Sequence, residues 1–556
     1  MGGDLRFPVG GWRRPLTRAS GWAPLAVLAV LAGPPAAGAQ TPADAAARAV
    51  RPGALRSHLE FLASDALEGR GTGARGGRLA ARYVAAQFER LGLEPAGDSG
   101  TYFQSIPVQA RSFSSTLGPA GGPPLEVGTD FVAYLTGSAD SGAAAADAMF
   151  VGYGITAPEE SWDDYAGADV SGKVVLAIAG TPADQDSSQF RRPKREDYGF
   201  RQYKVDEALR RGAAAVFVIY RQPFPAPWSD IASTWLGHQL QLPDSAEVPA
   251  RVAGWLNTPA AGRLLSQAGQ DLDQLTVAAA RPGFRARSLR MVLSATVQTR
   301  TSQVHATNVL ARLPGRGPRG SAAVLLGAHY DHLGIGPTVA GDSIYNGALD
   351  NASGTAGMLA IAEACVSSGL QPTRSLIFAA FGAEEAGLLG SEAFVRRPPV
   401  PLSRIVAMLN IDGLNLIADT RDIAALGAEW SSLGSSFRVA AAAEGYTITP
   451  PDSPIMQEAI RQDFFNRSDQ APFARAGVPA LFLYFGDQVG RTAPGSGKQK
   501  LDEYLEHRYH RPNDDLTQAF NYEAGARSLR VFARTLVSVA NGPVAPSWKQ
   551  GAPYGR

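Results

Sequence analysis

The chain has 556 residues, 45% of them hydrophobic and 19% charged, and a formal net charge of +1. That length holds several domains' worth of chain or one large domain with an insertion, and the near-neutral balance gives no reason to expect nucleic acid or an anionic membrane surface as a partner. A single cysteine, Cys365, excludes an intramolecular disulfide.

Arg13, Arg14 and Arg18 precede an apolar stretch, Ala23 to Gly33, that is too short to span a bilayer. Ala37-Gly38-Ala39 then supplies a small-x-small cleavage site ahead of Gln40. Residues 1–39 therefore read as a secretory signal peptide, and the mature chain as exported, periplasmic or extracellular, with no stable membrane anchor after cleavage. Arg13-Arg14 also admits the twin-arginine route. No cysteine follows the apolar stretch, which excludes a bacterial lipoprotein anchor.

From Leu55 to Leu93 the apolar spacing is helical, interrupted by Gly69-Arg70-Gly71-Thr72-Gly73. That break lacks the preceding strand and the Gly-Lys-Ser/Thr ending of a phosphate loop, so it is read as a turn. His58 is assigned a structural place. Residues 101–113 have strand character. From about 120 to about 300 the texture turns to Gly, Pro and Ala with scattered strands, plus a helix near YKVDEALRRGA and a strand AAVFVIY. Asp163, Asp164 and His238 have no partner pattern there and are left structural.

From His305 onward strands and helices alternate, the mark of a mainly parallel mixed sheet with helices on both faces. Strands are expected at 322–326, 374–381, 405–411 and 478–485. Helices are expected from Ser353 to about Ser368, at 430–444 and at 523–540. Cys365 falls on the buried side of the first of these helices.

Chemistry collects at the polar ends of these apolar runs. His329, Asp331 and His332 follow the first; Asp350-Asn351 precede the helix; Glu384-Glu385 follow the second strand and Asp412 the third. EHRYHRPNDD adds Tyr509, His510 and Asp514. Adjacent glutamates are usually a solvated helix start, but these lie between apolar segments. In α/β sheets the carboxyl ends of parallel strands build sites, and imidazole with carboxylate is a donor set suited to zinc. A metal centre is the better reading.

GAHYDHLG, NGALDNASG, FGAEEAGLLGS, LNIDG and YHRPNDD resemble, in order and rough spacing, the motif set of the co-catalytic zinc exopeptidases of clan MH. That group includes bacterial leucyl aminopeptidases, aminopeptidase Y and glutamate carboxypeptidase. The resemblance implies two Zn2+ per chain. Asp350 would bridge them; His329 and Asp412 would complete one metal, Glu385 and His510 the other. It further implies that Glu384 is the general base, that Asp331 orients the His329 imidazole, and that Tyr509 hydrogen-bonds the oxyanion. Asp469, in NRSDQAPF, matches a segment near the substrate pocket, although Gln470 stands where the family more often has His. His332, His305 and His507 match no ligand position and are expected to be structural.

GYG, the Asp-Val-x-Gly-Lys-Val-Val run and the Gly-Ala-Ala-Ala-Val strand resemble the β-rich protease-associated domain inserted in some family members. The expected organisation is a signal peptide at 1–39 and a helical lead-in with the start of the peptidase domain at 40–120. The inserted domain follows at 121–300, the catalytic domain at 301–545 and a tail at 546–556.

The expected activity is that of an aminopeptidase acting on peptide substrates. A carboxypeptidase, a dipeptidase or a glutaminyl-cyclase-like enzyme are the alternatives on the same scaffold. A non-catalytic receptor, the alternative of another class, predicts lost ligands, whereas all the matched ligand positions and the base are kept. Zinc against cobalt or manganese, and the oligomeric state, stay open.

Overall fold

The structure, a computed structural model, describes residues 40–184, 198–222, 227–243, 249–490 and 496–554. The expected signal peptide, 1–39, lies outside the described residues. Two helices, α1 (Pro42–Ala49) and α2 (Pro52–Leu62), lead into a tight turn and then α3 (Arg75–Arg90). Pro52 sits at the start of α2, where its missing N–H costs nothing. The apolar stripe of α3, Ala80, Ala81, Val84 and Phe88, is buried.

The strand expected at 101–113 is longer: β1 spans Phe103–Pro119 and pairs along its whole length, antiparallel, with β2 (Arg287–Leu313). This ribbon brackets the stretch expected to be an insertion. Strands Ser141–Phe150, Val174–Ile178, Ala215–Ile219 and Val252–Leu256 run in parallel beside it, and Phe131–Leu135 closes the far edge antiparallel. Helices such as Arg201–Arg210 and Thr258–Gln267 alternate with these strands, so the insertion is α/β rather than only β-rich.

Past β2 come β3 (Ala323–His329), α4 (Ser353–Ser367), β4 (Ser375–Phe381), β5 (Ile405–Ile411), β6 (Asp422–Leu426), β7 (Ala480–Tyr484) and α5 (Tyr522–Asn541). Their sheet order is β6-β7-β5-β3-β4-β2. The four central strands β7, β5, β3 and β4 are parallel; β6 and β2 flank them antiparallel. This is the mainly parallel mixed sheet that the alternation predicts. All residues of β3 and β4 are buried, as near-continuous apolar runs should be when helices cover both faces. Cys365 is buried in α4, where burial raises its thiol to about 12 and leaves it a small apolar filler. Among the described residues no helix is long and apolar enough to cross a membrane.

Candidate metal centre

Parallel register brings the carboxyl ends of β3, β4 and β5 to one edge, with His329 opposite Phe381 and Gly327 opposite Asn410. His329 ends β3, Glu384 and Glu385 follow β4, and Asp412 follows β5 directly. Asp350 arrives from a loop before α4, on a cis peptide with Asn351. The Asn351 amide ties that loop to β5: its Nδ2 donates to Ile411 O at 3.0 Å, and its Oδ1 accepts from Gly354 N at 2.9 Å and Gly413 N at 3.1 Å. A Cβ at Gly354 would lie 2.2 Å from Asn351 Oδ1 and 2.5 Å from Ile411 O, so only glycine admits this approach.

The five residues matched to ligands converge. His329 Nε2 is 3.0 Å from Asp412 Oδ1 and 3.4 Å from Asp350 Oδ1. His510 Nε2 is 3.2 Å from Asp350 Oδ2 and 3.2 Å from Glu385 Oε2. Asp350 thus offers one oxygen to each imidazole. His510 Nε2 is buried yet makes no properly directed hydrogen bond to either carboxylate, which is what a nitrogen aimed between two oxygens at a shared cation would do. Among the described residues three overlapping groups, His329 with Asp350 and Asp412, His329 with Glu384 and Glu385, and His332 with Asp350 and Glu385, each bring one donor atom per residue within 4.8 Å of one another. Nitrogen and oxygen donors in this arrangement fit a divalent cation such as zinc.

The electrostatics agree with such a site. Burial alone would raise the Asp350 carboxyl, but the His329 and His510 imidazoles outweigh it and hold it well below the usual range. Glu385 is likewise opposed by burial and by Asp350, yet His510 and His332 bring it down to about 2. Burial would lower both imidazoles; the surrounding carboxylates instead raise His329 well above its ordinary value and His510 to about 10. Glu384 differs. Burial pushes its carboxyl well up, and Asp412 and Glu385 add to that, against the pull of His329. Its Oε2 stands 3.9 Å from His329 Nε2, farther than the oxygens of Asp350 and Asp412.

Asp331 lies against this cluster, although its carboxylate is 4.0 Å from His329 Nδ1 and the nearer acceptor for that nitrogen is the Asp331 backbone carbonyl at 3.2 Å. The carboxylate accepts instead from the Glu384 N–H at 3.1 Å and the Thr72 hydroxyl at 2.8 Å. Tyr509 stacks on the His510 ring, centroids 3.8 Å apart. Asp469 is fully buried, with neither carboxylate oxygen given a hydrogen-bond partner among the described residues, and burial raises it to about 7. Gln470 is bound to Asn410 Nδ2 at 2.8 Å. His507 and His305 are exposed and stay outside the cluster.

His332, expected to be loop structure, reaches the cluster: its Nδ1 is 2.6 Å from Glu385 Oε1. Its place directly after the His-x-Asp of residues 329–331 is the sequence signal for it. Asp514 accepts from the N–H groups of Leu349 and Asp350, both at 3.1 Å, and from the Tyr504 hydroxyl at 3.0 Å, which sets the direction of the Asp350 backbone.

Residues 308–536 match the model of peptidase family M28. Among curated relatives, leupeptin-inactivating enzyme 1 of Streptomyces exfoliatus is 30% identical over 242 residues, covering 40% of this chain and 46% of that protein. Aminopeptidase YwaD of Bacillus subtilis is 29% identical over 197 residues, 35% of this chain and 36% of that one. The chain spans about half the length, or less, of the curated relatives it matches. In fold it is similar to an aminopeptidase from Aneurinibacillus sp. strain AM-1, with a TM-score of 0.51 and 21% identity, over 90% of this chain and 97% of that one.

Proposed function

We propose that the protein is an exported exopeptidase that holds two zinc ions and removes N-terminal residues from peptides. The observation that carries this is Asp350, whose two oxygens face two imidazoles, each with a further carboxylate within 3.2 Å. His329, Asp350 and Asp412 would hold one ion, and His510, Asp350 and Glu385 the other. When bound, such ions polarise a carbonyl and make water more acidic. Glu384 diverges from Glu385 along the backbone, so it stays off the second ion. Its carboxyl, raised by burial, takes the proton of the attacking water and returns it to the leaving amine. Asp331 fixes the Glu384 backbone through its N–H. Tyr509, stacked on His510, would hydrogen-bond the developing oxyanion through its hydroxyl, and Asp469 would line the substrate side. The insertion is read as a protease-associated domain.

Hydrolysis of a peptide panel by the chain lacking residues 1–39, beside Glu384→Gln, tests this. The parent should release N-terminal residues and carry two zinc ions. The variant should keep its metal and lose about 100-fold or more in kcat, the usual contribution of a positioned base. Release from the carboxyl end would replace the aminopeptidase by a carboxypeptidase; no hydrolysis by metal-loaded parent would end the peptidase reading.

A further inference from the structure

We infer that the turn at residues 69–73, far upstream of the stretch that matches the peptidase family, is a working part of the metal centre, with Arg70 and Thr72 as positioning residues for the loops that carry His329, Asp331 and Asp350. The inference rests on the two-metal reading above.

Arg70 is fully buried. Its guanidinium donates to four backbone carbonyls: Leu62 O at 2.6 Å, Tyr330 O at 2.7 Å, Asn346 O at 2.6 Å and Gly347 O at 2.9 Å. Only the first belongs to its own segment. Tyr330 lies between His329 and Asp331, and its partner on Arg70 is 260 residues away in sequence. Asn346 and Gly347 begin the turn that delivers Asp350. A guanidinium is a rigid planar fork, so carbonyls bound to one fork are held at a set spacing. Arg70 therefore gauges the gap between the loop bearing one imidazole and the loop bearing the bridging carboxylate.

Its charge serves the same place. No carboxylate lies within ion-pair distance of Arg70 among the described residues. Burial lowers its guanidinium to about 10, and Asp350, Asp331, Asp514 and Glu385 work against that fall. A buried cation is costly unless the surroundings compensate it. Here the compensation comes from the carboxylates of the site.

Close approach makes this docking possible. Gly69 has φ +65, and a Cβ there would meet Tyr345 O at 2.4 Å and Gly334 O at 2.5 Å. The His332 N–H donates to Arg70 O at 3.3 Å, and Asn346 Nδ2 donates to Ala63 O at 2.9 Å and to Asp65 Oδ1 at 2.8 Å. Two residues after Arg70, the Thr72 hydroxyl donates to Asp331 Oδ2 at 2.8 Å while Asp331 Oδ1 accepts the Glu384 N–H at 3.1 Å. Thr72 thus acts on the backbone of the base through one carboxylate.

The test uses the chain from residue 40 with Arg70→Lys, Thr72→Val and Thr72→Ser. Each variant is followed by zinc titration against a competing chelator, by melting of the metal-free protein, and by kcat and KM on a peptide the parent cleaves. Arg70→Lys and Thr72→Val should weaken zinc binding by about 10–100-fold, the usual cost of losing an outer partner of a metal ligand. Both should lower kcat more than they raise KM, and Thr72→Ser should restore the parent's values. If Arg70→Lys does not fold, the threonine pair decides. Thr72→Val that titrates and turns over like the parent overturns the inference while leaving the two-metal reading standing. A parent that takes up no zinc ends both.

Discussion

Glu384 and Glu385 are chemical twins one position apart, and the backbone sends their side chains to different neighbours. Ala383 sits at φ +58, a left-handed turn, and the Glu384 N–H is held by Asp331. The two side chains therefore leave in different directions, Glu385 toward His510 and His332, Glu384 toward His329 at 3.9 Å. His332 fixes one oxygen of Glu385 at 2.6 Å, which leaves the other for His510 and the cation they would share. Phenylalanine at 332 keeps a ring against Gly347 but cannot donate. His332→Phe should then weaken zinc uptake about 10–100-fold with little change in KM, measured by the same chelator competition. Undiminished affinity would reduce His332 to packing.

At the scale of elements, α2 carries a test of pH dependence. His58 is buried with its Nδ1 2.8 Å from the Tyr83 hydroxyl, and burial lowers it to about 4. Its folded-state pKa lies below the unfolded value, so the unfolded chain takes up the proton first. The stabilisation is full above the unfolded pKa and is lost as the pH falls through the folded one. The span corresponds to about 3 kcal/mol at most. The unfolding free energy from urea titration should fall between about pH 7.5 and 4.5, and should fall by roughly 2–3 kcal/mol less in His58→Phe. Equal losses in both proteins would place the acid sensitivity elsewhere. The elements that hold the site differ in how far the sequence discloses them. The strand ends at His329, Glu384 and Asp412 are legible because an apolar run must stop where polar donors begin. Arg70 and Thr72 are not, because apart from Leu62 O their partners are carbonyls and a carboxylate more than 250 residues away, and a backbone acceptor has no residue type to betray it. The ribbon of β1 and β2 is legible only in part: polar Arg300, Thr301, Ser302 and Gln303 fall at the domain boundary expected near residue 300, yet β2 continues through them.

That same stretch governs the behaviour of the whole molecule. Residues 300–303 of β2 are exposed, so the ribbon narrows there to a waist, although their β1 partners Ala110 and Arg111 are buried and a small core of Ile106, Val108, Leu242, Ala306 and Leu389 adjoins it. On one side of it lies the large apolar core around Phe378, Leu409 and Phe532; on the other lie the two cores that cover the insertion sheet, around Phe217 and Leu264 and around Val216 and Trp255. All five proposed ligands stand over the first. A ligand that binds only the folded state stabilises it in proportion to the logarithm of its excess over Kd, about 4 kcal/mol at a thousandfold excess. That increment belongs to the first core alone if the waist transmits little. Calorimetry of the metal-loaded chain and of the chelated chain should then differ in one transition. The peptidase transition should move down on chelation, the insertion transition should stay, and readdition of zinc should reverse the shift. A single transition that moves as one body would mean that the continuous sheet couples the two halves, so that stripping metal from one loosens the other.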